Sequence, residues 1–458
     1  MTALPAPGSA VAEQLARIAA GLSAERLPGA LRQRCLDLVL DIGGLCVAAR
    51  REPYVRALID SADGDGPCTA VGHARRFSAA EAALINGTAA HGEDFDDTFE
   101  GGPVHAGAVV VPAVIAAAER YGRDGEAALI GIAVGVEVCC RLSLVTPQLI
   151  HRAGFHPTAV LGTMAAALGV GVALGLSPRQ LVDAQGIAGS MAGGIIEYLA
   201  EGAWTKRLHP GWSAQAGLRA ALAARAGFVG PRTVFDGVHG FFHGFANTSD
   251  GNYAALLGGF GETWLAETVA FKPYACGTMT HPYIDCARRL ALRGIRADDI
   301  EEMVCEVAKG TVHRLWEPLE AKHRPPNGYA GKFSGPFCIA VSFLTGDAGL
   351  GAFTDERAQD PKIRALAAKV RFRIDPQNPY PSEYTGHILA RLRDGRVVEE
   401  RQPYLRGGAH EPLPRADLEA KFKGNVAFGG WSPAEAAAGL DAANRVFAGP
   451  LDLSAFRR

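Results

Sequence analysis

The sequence predicts a mostly α-helical protein, in which a large all-helical domain built from both chain ends is interrupted by a smaller α+β domain. Three observations predict this: helical spacing of apolar residues over most of 8–260, strand-like alternation in 303–310 and 367–375, and a return to helical spacing after Pro403. A chain of 458 residues also exceeds one ordinary core, so two domains are expected. The predicted segments are 1–267 and 404–458 for the helical domain and 268–403 for the insert.

The helices of the first domain are predicted from N-terminal signals as well as from spacing. Ser78-Ala-Ala-Glu81 and Ser177-Pro178-Arg-Gln180 are capping boxes, in which the first and fourth side chains accept hydrogen bonds from each other's backbone N–H groups. Pro178 also favours the first helical position. Helices are predicted over 27–50, 78–91, 107–121, 125–145, 157–175, 178–190 and 210–227.

The insert is predicted from a change of pattern. Segments 303–310 and 367–375 alternate as strands do, and 387–402 has two β-rich arms around Asp394-Gly395, which is the signal of a hairpin. Segment 332–346 is predicted to be a buried helix. Beyond the insert, Ser432-Pro433-Ala-Glu435 is a third capping box and predicts the helix that rejoins the first domain.

The composition excludes several classes of protein. With 48% hydrophobic residues, 21% charged residues and a net charge of -2, the chain is globular and has no overall field to recruit nucleic acid or an anionic membrane. Apolar runs such as Ala106–Ala118 contain Pro112 and are shorter than the ~20 residues of a membrane span. The opening MTALPAPGSA predicts no export signal. Nine cysteines without CxxC spacing predict reduced thiols in a cytoplasmic protein.

The segment from His91 to Gly107, HGEDFDDTFEGGPVHAG, is the densest polar run between two apolar helices. Polar groups in such a position face a cavity more readily than open water, so this run is predicted to form one wall of an active site. If it is helical, Asp94, Asp97 and Thr98 share a face with His91 one turn earlier. They could then orient a base, bind substrate hydroxyls or fix the loop that carries His105.

Three other interpretations of the same run are possible. Asp94-Phe-Asp96-Asp97-Thr98 fits the DxDx[TV] nucleophile motif of haloacid-dehalogenase-type phosphatases, but that chemistry needs a preceding buried strand and AALINGTAAHGE is helical. Magnesium held by the aspartates lacks a phosphate-binding partner loop. A capped loop with solvated carboxylates is the purely structural alternative.

Three His-Pro pairs, at His156, His209 and His281, precede helical patterns. A residue before proline avoids the α region, whereas proline favours the first helical position, so each histidine is predicted to lie at a helix N-terminus. The helix dipole there favours anions and opposes protonation of the imidazole, and a neutral histidine can act as a general base near pH 7. The alternative is a simple N-cap, which is the preferred interpretation for His156.

Cationic side chains lie near two of these pairs. Lys206 and Arg207 precede His209, and Lys272 lies in the segment that leads to His281, each in otherwise apolar surroundings. If buried near one another, they would bind a carboxylate-rich substrate, because isolated buried charge is too costly. The alternative is a set of surface cations.

Several of these runs together resemble the MmgE/PrpD family. The matching segments occur in the same order over nearly the whole chain: NGTAAHGEDFDDT…HAGAVVVPA, GFHPTAVLG (154–162), KRLHPGWSAQAG (206–217), KPYACGTMTHP (272–282) and KFSGPFCIAVSFL (332–344). The resemblance implies a helical domain built from both chain ends, an inserted α+β lid, a homodimer, and an active site between the domains without metal or organic cofactor.

The resemblance also implies site residues. Asp94 and Thr98 match the family's DFDDT positions, His105 its next histidine, Lys206 its KxxHPG lysine, and His281 the histidine after its KPYxxC-like segment. The substrate-binding residues predicted beside Thr98 are His91, His156, Arg207, Lys272 and Tyr274.

This chain departs from the family pattern at three positions. His105-Ala106-Gly107 replaces the HPG of many relatives, and the loop from Thr98 to His105 is one residue longer than in the decarboxylase of the family. Phe337 stands where that decarboxylase has a tyrosine. These departures favour another reaction over decarboxylation of cis-aconitate.

The chemistry that the resemblance implies is proton transfer at a carbon next to a carboxylate of a small di- or tricarboxylic acid. His105 is expected to be the general base or acid, while Lys206 and His281 stabilise the enolate-like intermediate. Asp94 would orient the base or a substrate hydroxyl, and Thr98 would bind a carboxylate. A 2-methylcitrate dehydratase-like hydro-lyase is expected first, then an epimerase of an iminodisuccinate-like acid, then a cis-aconitate-type decarboxylase. The alternative of another class is a non-catalytic ligand-binding helical protein.

Overall fold

The structure is a computed structural model that describes residues 9–458, and the chain divides into two compact units. Of the described residues, the helical unit contains 9–92, Asp96–Val269 and Arg415–Arg458. The mixed unit contains Glu93–Phe95 and Ala270–Pro414. Most of residues 1–10, for which no export signal is predicted, lie outside the described residues. The prediction of a mostly helical protein is confirmed.

The helical unit is formed by helices and one short two-stranded ladder. Its helices are α1 (Val11–Ala20), α2 (Gly29–Ala49), α3 (Pro53–Ser61), α4 (Ala79–His91), α5 (Ala106–Tyr121), α6 (Gly125–Ser143), α7 (Leu149–Arg152), α8 (Pro157–Ala173), α9 (Pro178–Met191), α10 (Tyr198–Glu201), α11 (Thr205–Arg225), α12 (Phe241–Ala246), α13 (Tyr253–Leu257), α21 (Arg415–Phe428) and α22 (Pro433–Arg445). The ladder pairs β1 (Cys68–Thr69) with β2 (Arg76–Phe77).

Glycine permits the close helix crossings of this unit. A Cβ on Gly87 of α4 would lie 2.7 Å from the Cα of Gly211 on α11, and one on Gly211 would lie 2.2 Å from the carbonyl oxygen of Leu84. Helices α6 and α8 approach in the same way, because a Cβ on Gly131 would lie 2.7 Å from the carbonyl oxygen of Gly169. Any larger residue would separate these pairs, and the α4–α11 pair carries part of the candidate site.

The helix signals in the sequence correspond to real caps. Ser177 and Ser432 both form complete capping boxes, and Ser78 accepts the backbone N–H of Glu81 at 3.2 Å. One start was predicted wrongly: α11 begins at Thr205, not at 210. The His209-Pro210 pair therefore lies inside a helix and not at its N-terminus.

The mixed unit combines a four-stranded sheet with short helices. The strand order is β4–β3–β5–β6, with β3 parallel to β4 and antiparallel to β5, and the β5–β6 hairpin turns at the predicted Asp394-Gly395. Its strands are β3 (Ile300–Val307), β4 (Val370–Ile374), β5 (Gly386–Leu392) and β6 (Val397–Gln402). Its helices are α14 (His281–Leu292), α15 (Val312–Leu315), α16 (Leu319–His323), α17 (Gly328–Gly331), α18 (Gly335–Thr345), α19 (Asp355–Gln359) and α20 (Pro361–Ala367).

Two further predictions concern cysteines and apolar helices. All nine cysteine thiols are buried and none is joined in a disulfide. Within residues 9–458, no helix alone has the length and hydropathy to cross a membrane, although Gly335–Thr345 and Leu350–Gln359, bent by 110°, pass that test as a pair.

Candidate functional site

The polar run after α4 is a loop, so its helical interpretation is wrong. Helix α4 ends at His91, and Asp94 has a φ of 55°, a left-handed conformation that breaks the helix. As a result, Asp94, Asp96 and Asp97 point to three different partners and do not share one face. All three are at most 3% exposed, which also contradicts the alternative of solvated carboxylates.

Asp97 fixes the start of α5. Its Oδ2 accepts the backbone N–H of Gly107 at 2.9 Å, which satisfies a free donor of the first turn. A Cβ on Gly107 would lie 2.4 Å from Asp97 Oδ1, so glycine is required here. Burial, and next the charge of Asp96, raise the pKa of the Asp97 carboxyl to about 8, so it retains its proton near neutral pH.

Asp96 contacts the imidazole of His91. His91 Nδ1 donates to Asp96 Oδ2 at 2.8 Å, and both side chains are completely buried. On the other edge of the ring, Lys206 Nζ lies 3.3 Å from His91 Nε2. The crossing of α4 and α11 at Gly87 and Gly211 brings these two residues together, although they are 115 positions apart.

His105 is the residue that precedes the first turn of α5, and its ring borders the ring of His91. Its Nδ1 donates to the backbone carbonyl of Asp97 at 2.7 Å, and its own backbone N–H donates to Thr158 Oγ1 at 3.2 Å. A carbonyl can only accept, so the neutral ring carries its lone pair on Nε2, the form that a general base needs. The rings of His91 and His105 have centroids 4.7 Å apart.

His156 and His209 complete the group of imidazoles. Their Nδ1 atoms are 3.1 Å apart, so one donates and the other accepts. Burial lowers the pKa of His209 to about 4 and the pKa of His156 well below its usual range, and the charge of Lys206 adds to both shifts. Both rings are therefore neutral at pH 7. His156 is the N-cap residue of α8, as predicted.

We call His91, His105, His156 and His209, together with Asp96 and Lys206, the histidine cluster. Four of these six were predicted as site residues. His209 was considered only as one of three histidines that precede a proline, and Asp96 was missed. Another predicted residue, Arg207, places its guanidinium 4.5 Å from the ring centroid of Tyr54. Thr98 is buried in the same unit, at 4% exposure.

In the mixed unit, Asp94 is paired with Lys272. Lys272 Nζ donates to the Asp94 carbonyl oxygen at 2.9 Å and lies 3.3 Å from its Oδ1. Lys332 forms a similar contact, because its Nζ donates to the carbonyl oxygen of Glu93 at 2.6 Å and to its Oε2 at 2.7 Å. The two buried lysines thus fix the positive-φ turn at Glu93–Phe95.

Two other predicted residues, Tyr274 and His281, lie before α14 and at its first position. Tyr274 donates its hydroxyl to Asp285 at 2.5 Å and accepts from Arg288 at 2.8 Å. His281 is the first residue of α14, and its Nε2 donates to the Cys276 carbonyl oxygen at 3.1 Å. Its Nδ1 is buried without a hydrogen-bond partner within the described part of the chain.

Three groups of the cluster could also hold a metal ion. His91, Asp96 and His105 offer ligand atoms that all lie within 4.8 Å of one another. However, His91 Nδ1 and Asp96 Oδ2 are at direct hydrogen-bond distance, and an ammonium group lies at the other nitrogen of the same ring. A divalent cation would have to displace the proton between them and bind close to Lys206, so these distances favour a hydrogen-bonded cluster.

Buried imidazoles of lowered pKa beside an ammonium and a carboxylate are typical of enzymes that transfer protons on anionic substrates. Comparison of the sequence with models of known protein families identifies the family of this chain. The family model for the MmgE/PrpD N-terminal domain matches residues 13–254, and that for the MmgE/PrpD C-terminal domain matches residues 274–442. The chain therefore belongs to the MmgE/PrpD family, as the sequence motifs predicted.

The similar curated proteins include several cis-aconitate decarboxylases. That of Aspergillus terreus is 27% identical over 448 residues, covering 91% of this chain and 89% of that protein. The Mus musculus protein is 31% identical over 363 residues, covering 75% of this chain and 71% of that protein. The Homo sapiens protein is 30% identical over 359 residues, covering 75% and 72%.

Proposed function

We propose that this protein is a cofactor-independent lyase that transfers a proton at a carbon next to a carboxylate of a small di- or tricarboxylic acid. The observation that carries the proposal is the histidine cluster, in which a histidine with its lone pair on Nε2 and a lysine ammonium flank the same buried imidazole. The family membership supports it, because the similar proteins act on a tricarboxylic acid according to their names.

The residues of the histidine cluster have different roles in the proposed reaction. His105 Nε2 takes or returns the proton, which contributes a rate factor of about 10²–10⁴. Lys206 stabilises the negative charge of the enolate-like intermediate. His156 and His209 remain neutral at pH 7 and therefore accept or donate hydrogen bonds without adding charge. Asp94, Lys272, Tyr274 and His281 of the mixed unit remain proposed site residues on the family resemblance.

Two net reactions are compatible with this step. Loss of CO₂ would leave a carbanion that an imidazolium protonates, and the names of the three relatives favour this outcome. Loss of water would follow removal of the α-proton, with an acid protonating the departing β-hydroxyl, as in the 2-methylcitrate dehydratase predicted from the sequence. The resemblance places Phe337 where the decarboxylase has a tyrosine, and a phenyl ring cannot supply that hydroxyl, which favours this second reaction.

The experiment is proton NMR in D₂O with cis-aconitate, 2-methylcitrate, citrate and aminated dicarboxylates. Deuterium incorporation next to a carboxylate is expected for at least one acid, and the product distinguishes decarboxylation, dehydration and epimerisation. His105→Gln should abolish the exchange, whereas His239→Gln, an exposed histidine on the same unit, should not. Exchange that persists in His105→Gln would assign the base elsewhere. Binding without exchange or product would identify a ligand-binding protein instead.

A further inference from the structure

We propose that Asp96 and His91 are positioning residues that hold the ammonium group of Lys206 in the orientation required for catalysis. This inference rests on the proposed function, because it is there that Lys206 stabilises the intermediate. It is carried by two consecutive hydrogen bonds, from His91 Nδ1 to Asp96 Oδ2 at 2.8 Å and between Lys206 Nζ and His91 Nε2 at 3.3 Å.

The direction of both hydrogen bonds follows from the donors and acceptors. An ammonium group can only donate, so His91 Nε2 accepts and carries no proton. The neutral ring then carries its proton on Nδ1, and the carboxylate of Asp96 accepts it. Asp96 thereby fixes the tautomer of His91, because the other tautomer would point an N–H at the ammonium of Lys206. The side chains of Asp96 and His91 are both 0% exposed, so bulk water cannot replace Asp96 as the acceptor of the His91 N–H.

The same contacts compensate the charge of Lys206. The ammonium stands among imidazoles that oppose further positive charge, as the lowered pKa values of His156 and His209 show. Asp96 places one negative charge on the far side of the His91 ring. An anion at this distance stabilises the protonated lysine, so removing it should lower the pKa of Lys206.

Other titratable groups also face this pair. The rings of His105 and His156 have centroids 4.7 and 5.9 Å from that of His91. From α2, Asp41 is close enough for the charge of Asp96 to raise its pKa, after the larger effect of burial. Asp41 is itself paired with Lys421 of α21 at 2.7 Å. Asp41 is therefore compensated separately, whereas Asp96 contacts His91 directly.

The tautomer of His91 can be measured without any substrate. Histidine-selective ¹⁵N NMR of the ligand-free protein should show an Nδ1-protonated, neutral ring at pH 7, with its signals assigned by their loss in His91→Gln. A ring protonated on Nε2 would overturn the proposal. Because no substrate is present, this result does not depend on whether the protein is a lyase.

The catalytic consequence is tested with two buried carboxylates of the helical unit, Asp96 in the histidine cluster and Asp183 on α9. Asp96→Asn removes the charge and should reduce kcat more than it changes KM, with a loss in kcat/KM of about 10²-fold. The alkaline limb of its pH profile should move down by about one pH unit or more. Asp183→Asn is the matched control, because this carboxylate is also buried in the helical unit but pairs with Arg179 at 2.9 Å and is not a member of the histidine cluster.

The outcomes separate the two proposals. A downward shift of the alkaline limb in Asp96→Asn alone supports the positioning role, and identical limbs in the two variants overturn it. If the wild-type protein exchanged no substrate proton, the proposed function would fail, and the tautomer measurement would then support or overturn the positioning of Lys206 by itself.

Discussion

Replacing Gly211 by alanine tests whether the crossing of α4 and α11 determines both stability and the geometry of the histidine cluster. The added Cβ would lie 2.2 Å from the Leu84 carbonyl oxygen and 2.3 Å from Thr88 Oγ1. The carbonyl belongs to the α4 backbone and cannot rotate away, so the helices must separate by about 1 Å. Such overpacking costs about 1–3 kcal/mol in unfolding free energy, of which the helix propensity of alanine offsets about 0.5–1 kcal/mol, so a net destabilisation is expected.

The control is Gly424→Ala on the exposed face of α21. A Cβ at Gly424 meets nothing within 4 Å, so alanine should stabilise the helix by about 0.5–1 kcal/mol. Urea unfolding should therefore show changes of opposite sign in the two variants. Because a displacement of about 1 Å would also lengthen the 3.3 Å contact between Lys206 and His91, Gly211→Ala should lose about 10²-fold in kcat/KM. Equal stability of the two variants would refute this account of the crossing.

Three further predictions concern pH, caps and metals. The pKa of Asp97 is raised in the folded protein to about 8, so the folded state binds one more proton than the unfolded state between about pH 4 and 8, and stability should fall as pH rises through this window. In urea unfolding, the free energy of unfolding of Asp97→Asn should not fall with pH in this way. An equal fall in the wild type and the variant would contradict the raised pKa of Asp97. Ser432→Ala removes the hydrogen bond from the Glu435 N–H and should lower the unfolding free energy by about 1 kcal/mol, whereas Ser61→Ala, on an exposed helix end, should change it little. Activity should survive EDTA, and a loss restored by a divalent cation would show that His91, Asp96 and His105 bind metal.

The sequence predicts those parts of the fold that local signals determine. The capping boxes at Ser177 and Ser432 and the hairpin turn at Asp394-Gly395 act within a few residues, and each is present where predicted. The start of α11 was predicted wrongly for a physical reason. Proline is compatible both with the first turn and, at the cost of one hydrogen bond, with the interior of a helix, so Pro210 alone could not fix the boundary.

The candidate site was only partly predictable, because its contacts join distant segments. His91 and Lys206 meet through two glycines on different helices, and nothing in the local pattern of either helix reveals that crossing. Asp96 was missed since a run of aspartates does not reveal which carboxylate points where. That distribution depends on the left-handed conformation of Asp94, which the tertiary contacts of Lys272 stabilise.

The adjacent side chains Asp96 and Asp97 differ in protonation state, because Asp96 is ionised and Asp97 keeps its proton. Both are completely buried, and like charges at adjacent positions disfavour double ionisation. Asp97 receives one backbone N–H, from Gly107, whereas Asp96 accepts from His91 and lies 3.4 Å from His105 Nδ1. The negative charge is therefore better stabilised on Asp96, which contacts the imidazoles. Asp97 remains protonated and caps α5, so the helix that carries His105 is held without placing a second anion beside the base.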